Sequence, residues 1–347
     1  MTSAITWRAA PMLLRDLHSR WLHRPKREWV GEVAPRLVAG HASGSGWQTT
    51  AVDFTSTQVA VATVDRSDAA GRFIVKVPWT SGGADKLRRQ AEVLRALEAD
   101  PRLAAIRDLI PRCVHQGKID GRFFTIEEAV PGVPATTIMS RRDQRPKLLA
   151  SAARSIGELH QRTAEQTVVD DAIVDAWAHQ PLRLLEAYAG PHRRSGLLLD
   201  AIGRLHDELH HALLGRTIRT SWIHGDFWHG NLLTAADAPD VTGIVDWDGA
   251  DDDQLALHDM VHLHVFSRRL AHGDELGDIV VRALNGSLAE TLGLPAEQVS
   301  NWLNGLPERS AVILYWLRHI LLFMDTEGHH DNQRWLRTNV EFVLAGI

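Results

Sequence analysis

Eight residues constrain this chain more than any others: His224-Gly225-Asp226-Phe227-Trp228-His229-Gly230-Asn231. A second acidic turn, Val245-Asp246-Trp247-Asp248-Gly249, begins soon afterwards, with Asp246 fifteen residues beyond Asn231. An apolar run leads into each turn and ends in an Asp. For a carboxylate, an amide oxygen five residues on and a second carboxylate to converge, the chain must fold back between them as a hairpin. Hard oxygen ligands so arranged suit Mg²⁺ bridging nucleotide phosphates, which points to phosphoryl transfer.

The rest of the chain is compatible with that chemistry. At 347 residues it is long for one small domain and suits two lobes sharing a cleft. With 44% hydrophobic and 23% charged residues it reads as a folded protein, and collagen-like, disordered and disulfide-scaffold classes fall away. A net charge of −5 argues against a nucleic-acid partner bound through clustered cations. The single cysteine, Cys113, requires no oxidising compartment, so the cytoplasm is the expected location. The run Ala311 to Met324 is interrupted by Arg318 and His319 and is too short to span a bilayer, and no membrane partner is expected. Arg8 and Arg15 break up the N-terminus, which reads as an amphipathic helix from Pro11 to Leu22 rather than a signal peptide.

From Arg36 to Glu128 the pattern is short, apolar and β-branched. Gln58 to Asp65 and Arg72 to Val77 form an expected hairpin, Ala84 to Glu98 has helical spacing, and Phe123 to Val130 returns to strand character. Pro131 and Gly132 break the pattern, and from Lys147 onward helical periods dominate around the short β-like island that carries the two acidic turns. The expected organisation is an N-terminal sheet lobe, residues 1–128, and a helical lobe, residues 129–347.

These motifs resemble the aminoglycoside phosphotransferase and choline kinase family, relatives of the protein kinases, whose catalytic loop reads HGDxxxxN and whose metal turn supplies an Asp after an apolar strand. The resemblance runs from about Phe54 to about Leu322. Lys76 in Phe73-Ile74-Val75-Lys76-Val77 resembles the lysine that holds the donor phosphates, and Thr125 to Gly132 resembles the strand and hinge that meet adenine. Ile156-Gly157-Glu158-Leu159-His160 and Asp259-Met260-Val261 are similar to two further family segments. The resemblance implies an α+β, two-lobed protein-kinase-like fold and ATP- or GTP-dependent phosphorylation of a hydroxyl on a small molecule, with Mg²⁺ as cofactor. It implies that Asp226 accepts the hydroxyl proton, His224 organises the catalytic loop, Asn231 and Asp246 hold the metal, and Lys76 pairs with the phosphates. Ser56 or Thr57 would donate to phosphate from the turn before the lysine hairpin, and Glu128 and Val130 would lie at the adenine edge. The Gly44-Ser45-Gly46 segment, 32 residues before Lys76, imitates a glycine-rich loop but reads as a connector.

One departure stands out. The family's E-x-x-x-L-x-x-L helix carries its glutamate four residues before a leucine; here Leu94 and Leu97 are present and Gln90 occupies the glutamate position. Glu92 is turned about 200° from Gln90 on a helix and does not substitute for it. The departure motivates an alternative, a catalytically silent nucleotide-binding member with a regulatory role. A zinc-hydrolase reading of His258 and His262 lacks the usual glutamate base, and a protein kinase lacks its anchoring segment after Asp246. The expected acceptor is hydroxylated and amine-bearing: an aminoglycoside, amino sugar or amino alcohol. Asp251, Asp252 and Asp253 are candidates to attract its cation, and Trp228, Trp316 and Trp335 are candidates to line its pocket.

Overall fold

Arg72–Pro78 carries the β-branched Ile74, Val75 and Val77, and both faces of the strand are covered: Val75 and Val77 enter the core while Lys76 is buried on the opposite face. This strand is the centre of the first unit. The computed structural model describes residues 24–55, 58–67, 71–189, 195–326 and 332–347. The expected N-terminal helix, Ser56 and Thr57 lie outside them. The chain divides into two units, one made of residues up to Ala91 with Arg112–Ala129, the other of Glu92–Pro111 with Val130–Ile347.

The first unit contains α1 (Arg24–His41), β1 (Trp47–Phe54), β2 (Val59–Arg66), β3 (Arg72–Pro78), α2 (Ser81–Ala99) as far as Ala91, β4 (Arg112–Ile119) and β5 (Arg122–Glu128). The strands form one antiparallel sheet in the order β1-β2-β3-β5-β4. Val30 and Val38 of α1 pack on Ala60, Ala62, Val64, Val75 and Ile126. Each large aliphatic side chain so buried contributes about 1.5–3 kcal/mol. Here the sequence expectation needs correction, because residues 36–41 continue α1 instead of opening a strand. Val30, Val33, Ala34 and Val38 all fall on one buried helical stripe, and the helix accommodates Pro35 in its interior. Tertiary packing of that stripe outweighs the loss of one backbone donor.

The second unit is mainly helical. Its elements that bear on the site are β6 (Val133–Pro134), α3 (Arg145–Arg162), β7 (Glu165–Val168), α4 (Gln180–Ala189), α5 (Ser195–Leu213), β8 (Thr217–Ile223), β9 (Leu232–Thr234), β10 (Val241–Ile244), β11 (Asp251–Gln254), α6 (Leu257–His272), α7 (Leu276–Asn285) and α8 (Glu308–Thr326). Two three-stranded sheets, β10-β9-β6 and β11-β8-β7, form the β island. Leu205 and Leu209 of α5, Val261 and Val265 of α6, and Ile313 and Leu317 of α8 build the core beneath it. Among the described residues no helix is long and apolar enough to cross a membrane.

Candidate active site

Strand β8 ends at Ile223 and delivers His224, Gly225 and Asp226 into a loop that is tied down from below by one buried carboxylate. Asp259, in the first turn of α6, accepts from the backbone N–H of His224 at 2.7 Å and of Gly225 at 2.8 Å, and its Oδ2 also meets His160 Nε2 at 3.0 Å. Burial alone would raise the Asp259 pKa; the hydrogen bond and charge of His160, with the donors of His224, hold it down at about 2. Gly225 has φ +81°, and a Cβ there would lie 2.0 Å from the carbonyl oxygen of Gly249. The HGD loop and the acidic turn therefore cross at Gly225, where only glycine fits.

The two ring nitrogens of His224 both serve this crossing. Its Nε2 lies 2.9 Å from the Val245 carbonyl and its Nδ1 accepts from the Asp226 N–H at 3.3 Å, which fixes the proton on Nε2. Asp226 is bracketed by neutral donors: Asn231 Nδ2 reaches its Oδ2 at 3.0 Å and its backbone oxygen at 2.8 Å, and His262 Nε2 lies 3.1 Å from its Oδ1. Burial lowers the His262 pKa to about 3, so the ring is neutral, gives its Nε2 proton to Asp226 and accepts from the Tyr315 hydroxyl at Nδ1, 3.2 Å away. The ring also stacks on His319 with centroids 4.1 Å apart.

Asn231 and Asp246 sit at adjoining ends of the β9–β10 hairpin, where the Val245 N–H bonds the Asn231 carbonyl at 2.9 Å. Asp246 adopts the left-handed conformation, φ 69° and ψ 65°, an uncommon state for a non-glycine residue. Among the described residues neither the Asp246 carboxylate nor the Asn231 amide oxygen accepts a hydrogen bond. Two hard oxygen donors left open at a hairpin end fit a small divalent cation.

In the first unit, Lys76 Nζ lies 3.2 Å from Glu127 Oε2, and Gln90 Nε2 donates to Glu127 Oε1 at 2.9 Å. All three side chains are buried. Glu92 is exposed and takes no part in the cluster. Glu128 pairs its carboxylate with Arg112 on the sheet surface. After it, the Ala129 N–H bonds the Arg72 carbonyl, whereas the backbone of Val130 bonds nothing among the described residues.

Gly44 to Gly46 joins α1 to β1, and the β1–β2 turn is closed by Gln58 N–H to the Thr55 carbonyl at 3.0 Å. Trp316 is fully buried in the helical core with its Nε1 on the Asn339 carbonyl, so it does not line a pocket; Trp335 packs against the same core. Trp228 packs on Phe266 and His229, with both ring centroids 4.9 Å away. Asp251 to Asp253 form β11 on the edge of its sheet. Among the described residues no three His, Cys, Asp or Glu side chains gather as a metal site, and the His258/His262 pair is no zinc pair, since His262 is committed to Asp226 and Tyr315. A hollow of about 640 Å³ opens beside Gly225, lined by Gly249, Leu184, Arg318, Leu321 and Met324. Sequence reasoning missed Glu127 and His262. Strand alternation offered a signal for the first; three-residue spacing from Asp259 on a helix offered one for the second.

An antiparallel-sheet unit with a buried strand lysine, and a larger helical unit with an HGD loop beside an acidic hairpin turn, define a protein-kinase-like small-molecule phosphotransferase. A sequence model described as the phosphotransferase enzyme family matches residues 51–293, most of the chain, and the chain belongs to that family. Among solved structures, a putative aminoglycoside phosphotransferase from Ralstonia eutropha JMP134 is 13% identical, with 90% of this chain and 97% of that one covered at a TM-score of 0.53. The ADP-bound aminoglycoside phosphotransferase APH(2'')-Ib is 14% identical, with 91% and 97% covered at a TM-score of 0.50. At such identities the likeness is one of fold. A comparison with curated proteins finds no match.

Proposed function

We propose that this protein transfers the γ-phosphoryl group of ATP or GTP to a hydroxyl of a small, amine-bearing acceptor such as an aminoglycoside, amino sugar or amino alcohol. The observation that carries the reading is the state of Asp226. Its carboxylate accepts from the Asn231 amide and from the neutral imidazole of His262, which hold it in a well-oriented position. A carboxylate in that state accepts the proton of an acceptor hydroxyl as the hydroxyl oxygen bonds to phosphorus. The bond from phosphorus to the bridging oxygen breaks, and the nucleoside diphosphate leaves with that electron pair.

Asn231 and Asp246 would hold Mg²⁺, with phosphate oxygens and water completing its shell, and the ion would neutralise charge on the transferring group. Lys76 would bind donor phosphates. Val130, whose backbone bonds nothing among the described residues, and the backbone of Glu128 would meet the adenine or guanine edge. Ser56 and Thr57 would donate to phosphate. The hollow beside Gly225 would receive the acceptor, its aliphatic walls covering the ring or chain that bears the hydroxyl.

The test is nucleoside diphosphate release by purified protein with Mg²⁺ and ATP or GTP, across aminoglycosides, amino sugars and amino alcohols, with D226A as control. Acceptor-stimulated release lost in D226A is expected. Nucleotide that does not bind at all would sink the reading.

A further inference from the structure

The resemblance to small-molecule kinases implies a glutamate on α2 facing the strand lysine, and this chain has Gln90 there. The counter-charge to Lys76 comes instead from the neighbouring strand. We infer that Glu127 of β5 is the positioning residue for Lys76 and that Gln90 acts as the clamp on Glu127. The inference rests on the phosphotransferase reading above for what Lys76 does, and on geometry alone for what holds it.

Register explains how the strand takes over. In the antiparallel β3–β5 pair Lys76 stands opposite Thr125 and Ile74 opposite Glu127. Side chains alternate, so Lys76 and Glu127 project from the same face as diagonal neighbours, within reach of two long side chains. The carboxylate then divides its oxygens, Oε2 facing Lys76 Nζ at 3.2 Å and Oε1 accepting from Gln90 Nε2 at 2.9 Å. Two contacts on two oxygens fix the plane of the carboxylate and the direction from which it draws the ammonium.

Charge explains why residue 90 is an amide. Relative exposures of 9% for Lys76, 3% for Glu127 and 3% for Gln90 leave little water to screen them. In the three-residue contact Glu127 supplies the anion facing Lys76 and Gln90 a neutral donor to it. A glutamate at position 90 would bring a second carboxylate against Glu127 in a buried site, a costly arrangement of like charges. Gln90 is thus the complement of Glu127, and the departure that suggested a silent protein is one half of an exchange. The placement of Lys76 is set by sheet register, with α2 contributing a neutral hydrogen bond.

The experiment uses the full chain with E127Q, E127D, Q90E and the exchange Q90E/E127Q. Steady-state kinetics with Mg²⁺ and nucleotide give kcat and KM, and acylation of Lys76 by acetic anhydride, followed by mass spectrometry, reports its surroundings without any substrate. For E127Q we expect kcat/KM for nucleotide to fall about 10²-fold, the scale of a misplacement near 1 Å. Acylation of Lys76 at pH 8 should rise about tenfold once its facing carboxylate is neutral. Q90E alone should also impair turnover, and the exchange should recover at least tenfold of the E127Q loss. Wild-type kinetics and wild-type labelling in E127Q would overturn the inference, as would an exchange no better than E127Q alone. If E127Q fails to fold, E127D, which keeps the charge but shortens the reach, must lower kcat/KM and speed labelling, and unchanged values there would equally overturn it. A wild-type protein with no turnover would sink the phosphotransferase reading, while the labelling series would still decide what holds Lys76.

Discussion

The two units orient their key charges in opposite ways. In the sheet unit, Lys76 is met by a full opposite charge, Glu127, and the pair is closed by an amide. In the helical unit, Asp226 accepts from two neutral groups, the Asn231 amide and His262, and among the described residues the Asp246 carboxylate accepts no hydrogen bond. Pairing with an ion fixes a position and neutralises it. Holding by dipoles fixes a position and leaves the charge intact for a proton or a metal. The difference teaches that buried imidazoles here are chosen for their neutrality, which burial enforces by lowering their pKa values.

That contrast can be broken by substitution. The largest expected effect is on turnover in D226A, a fall of about 10³-fold in kcat with nucleotide affinity within about twofold, measured by diphosphate release and equilibrium binding. A comparable loss of binding would mean that Asp226 anchors the loop and has no proton to accept. Next comes D259A, which removes the acceptor of two backbone N–H groups and of His160. We expect a loss of about 3 kcal/mol in urea unfolding, because polar groups are left buried and unpaired.

Acid sharpens the comparison further. His262 is lowered to about 3, His229 and His264 to about 4, and His258 and His319 well below the usual value, in each case first by burial. The folded state refuses protons that the unfolded chain accepts near pH 6.5. Stability is therefore complete above that pH and is lost as pH falls through 6.5 toward 4, by about 1.4 kcal/mol per pH unit for each such ring. Asp259, held at about 2, contributes no loss until pH falls below 3.8. Thermal melts at pH 7.5, 6 and 4.5 should show this slope, and H319F should reduce it by one ring's worth; an identical slope would remove His319 from the account. The smallest effect is R112A. It breaks an exposed pair with Glu128 and should cost no more than about 0.5 kcal/mol, with kcat unchanged.

Much of this was legible in the sequence, for identifiable reasons. The β2–β3 hairpin, β5 and the long helices announced themselves through period and turn residues, and the HGD loop and its hairpin through Asp, Gly and Asn at fixed offsets. Helix α1 was hidden because Pro35 reads as a break, and only packing of Val30 and Val38 on the sheet outweighs it. Glu127 was hidden because Glu127 and Glu128 are adjacent and only strand register decides which one turns toward Lys76. His262 was hidden among nineteen histidines, since i, i+4 spacing drew the eye to His258 while the working partner of that stretch is Asp259. Long-range juxtaposition, such as His160 on Asp259 across 99 positions, has no local trace at all.

The hollow beside Gly225 has a bearing on how such a protein diverges. Its floor is backbone, where the Gly249 carbonyl leaves no room for a side chain at Gly225, and its walls are Leu184 of α4 and Arg318, Leu321 and Met324 of α8. A floor of bare peptide resists mutation, while walls carried on helical scaffolding accept it, since one apolar side chain exchanges for another without disturbing the crossing. With the acceptor in the hollow as proposed, selection for a new one would retool the walls by single steps while the crossing beneath them is inherited unchanged.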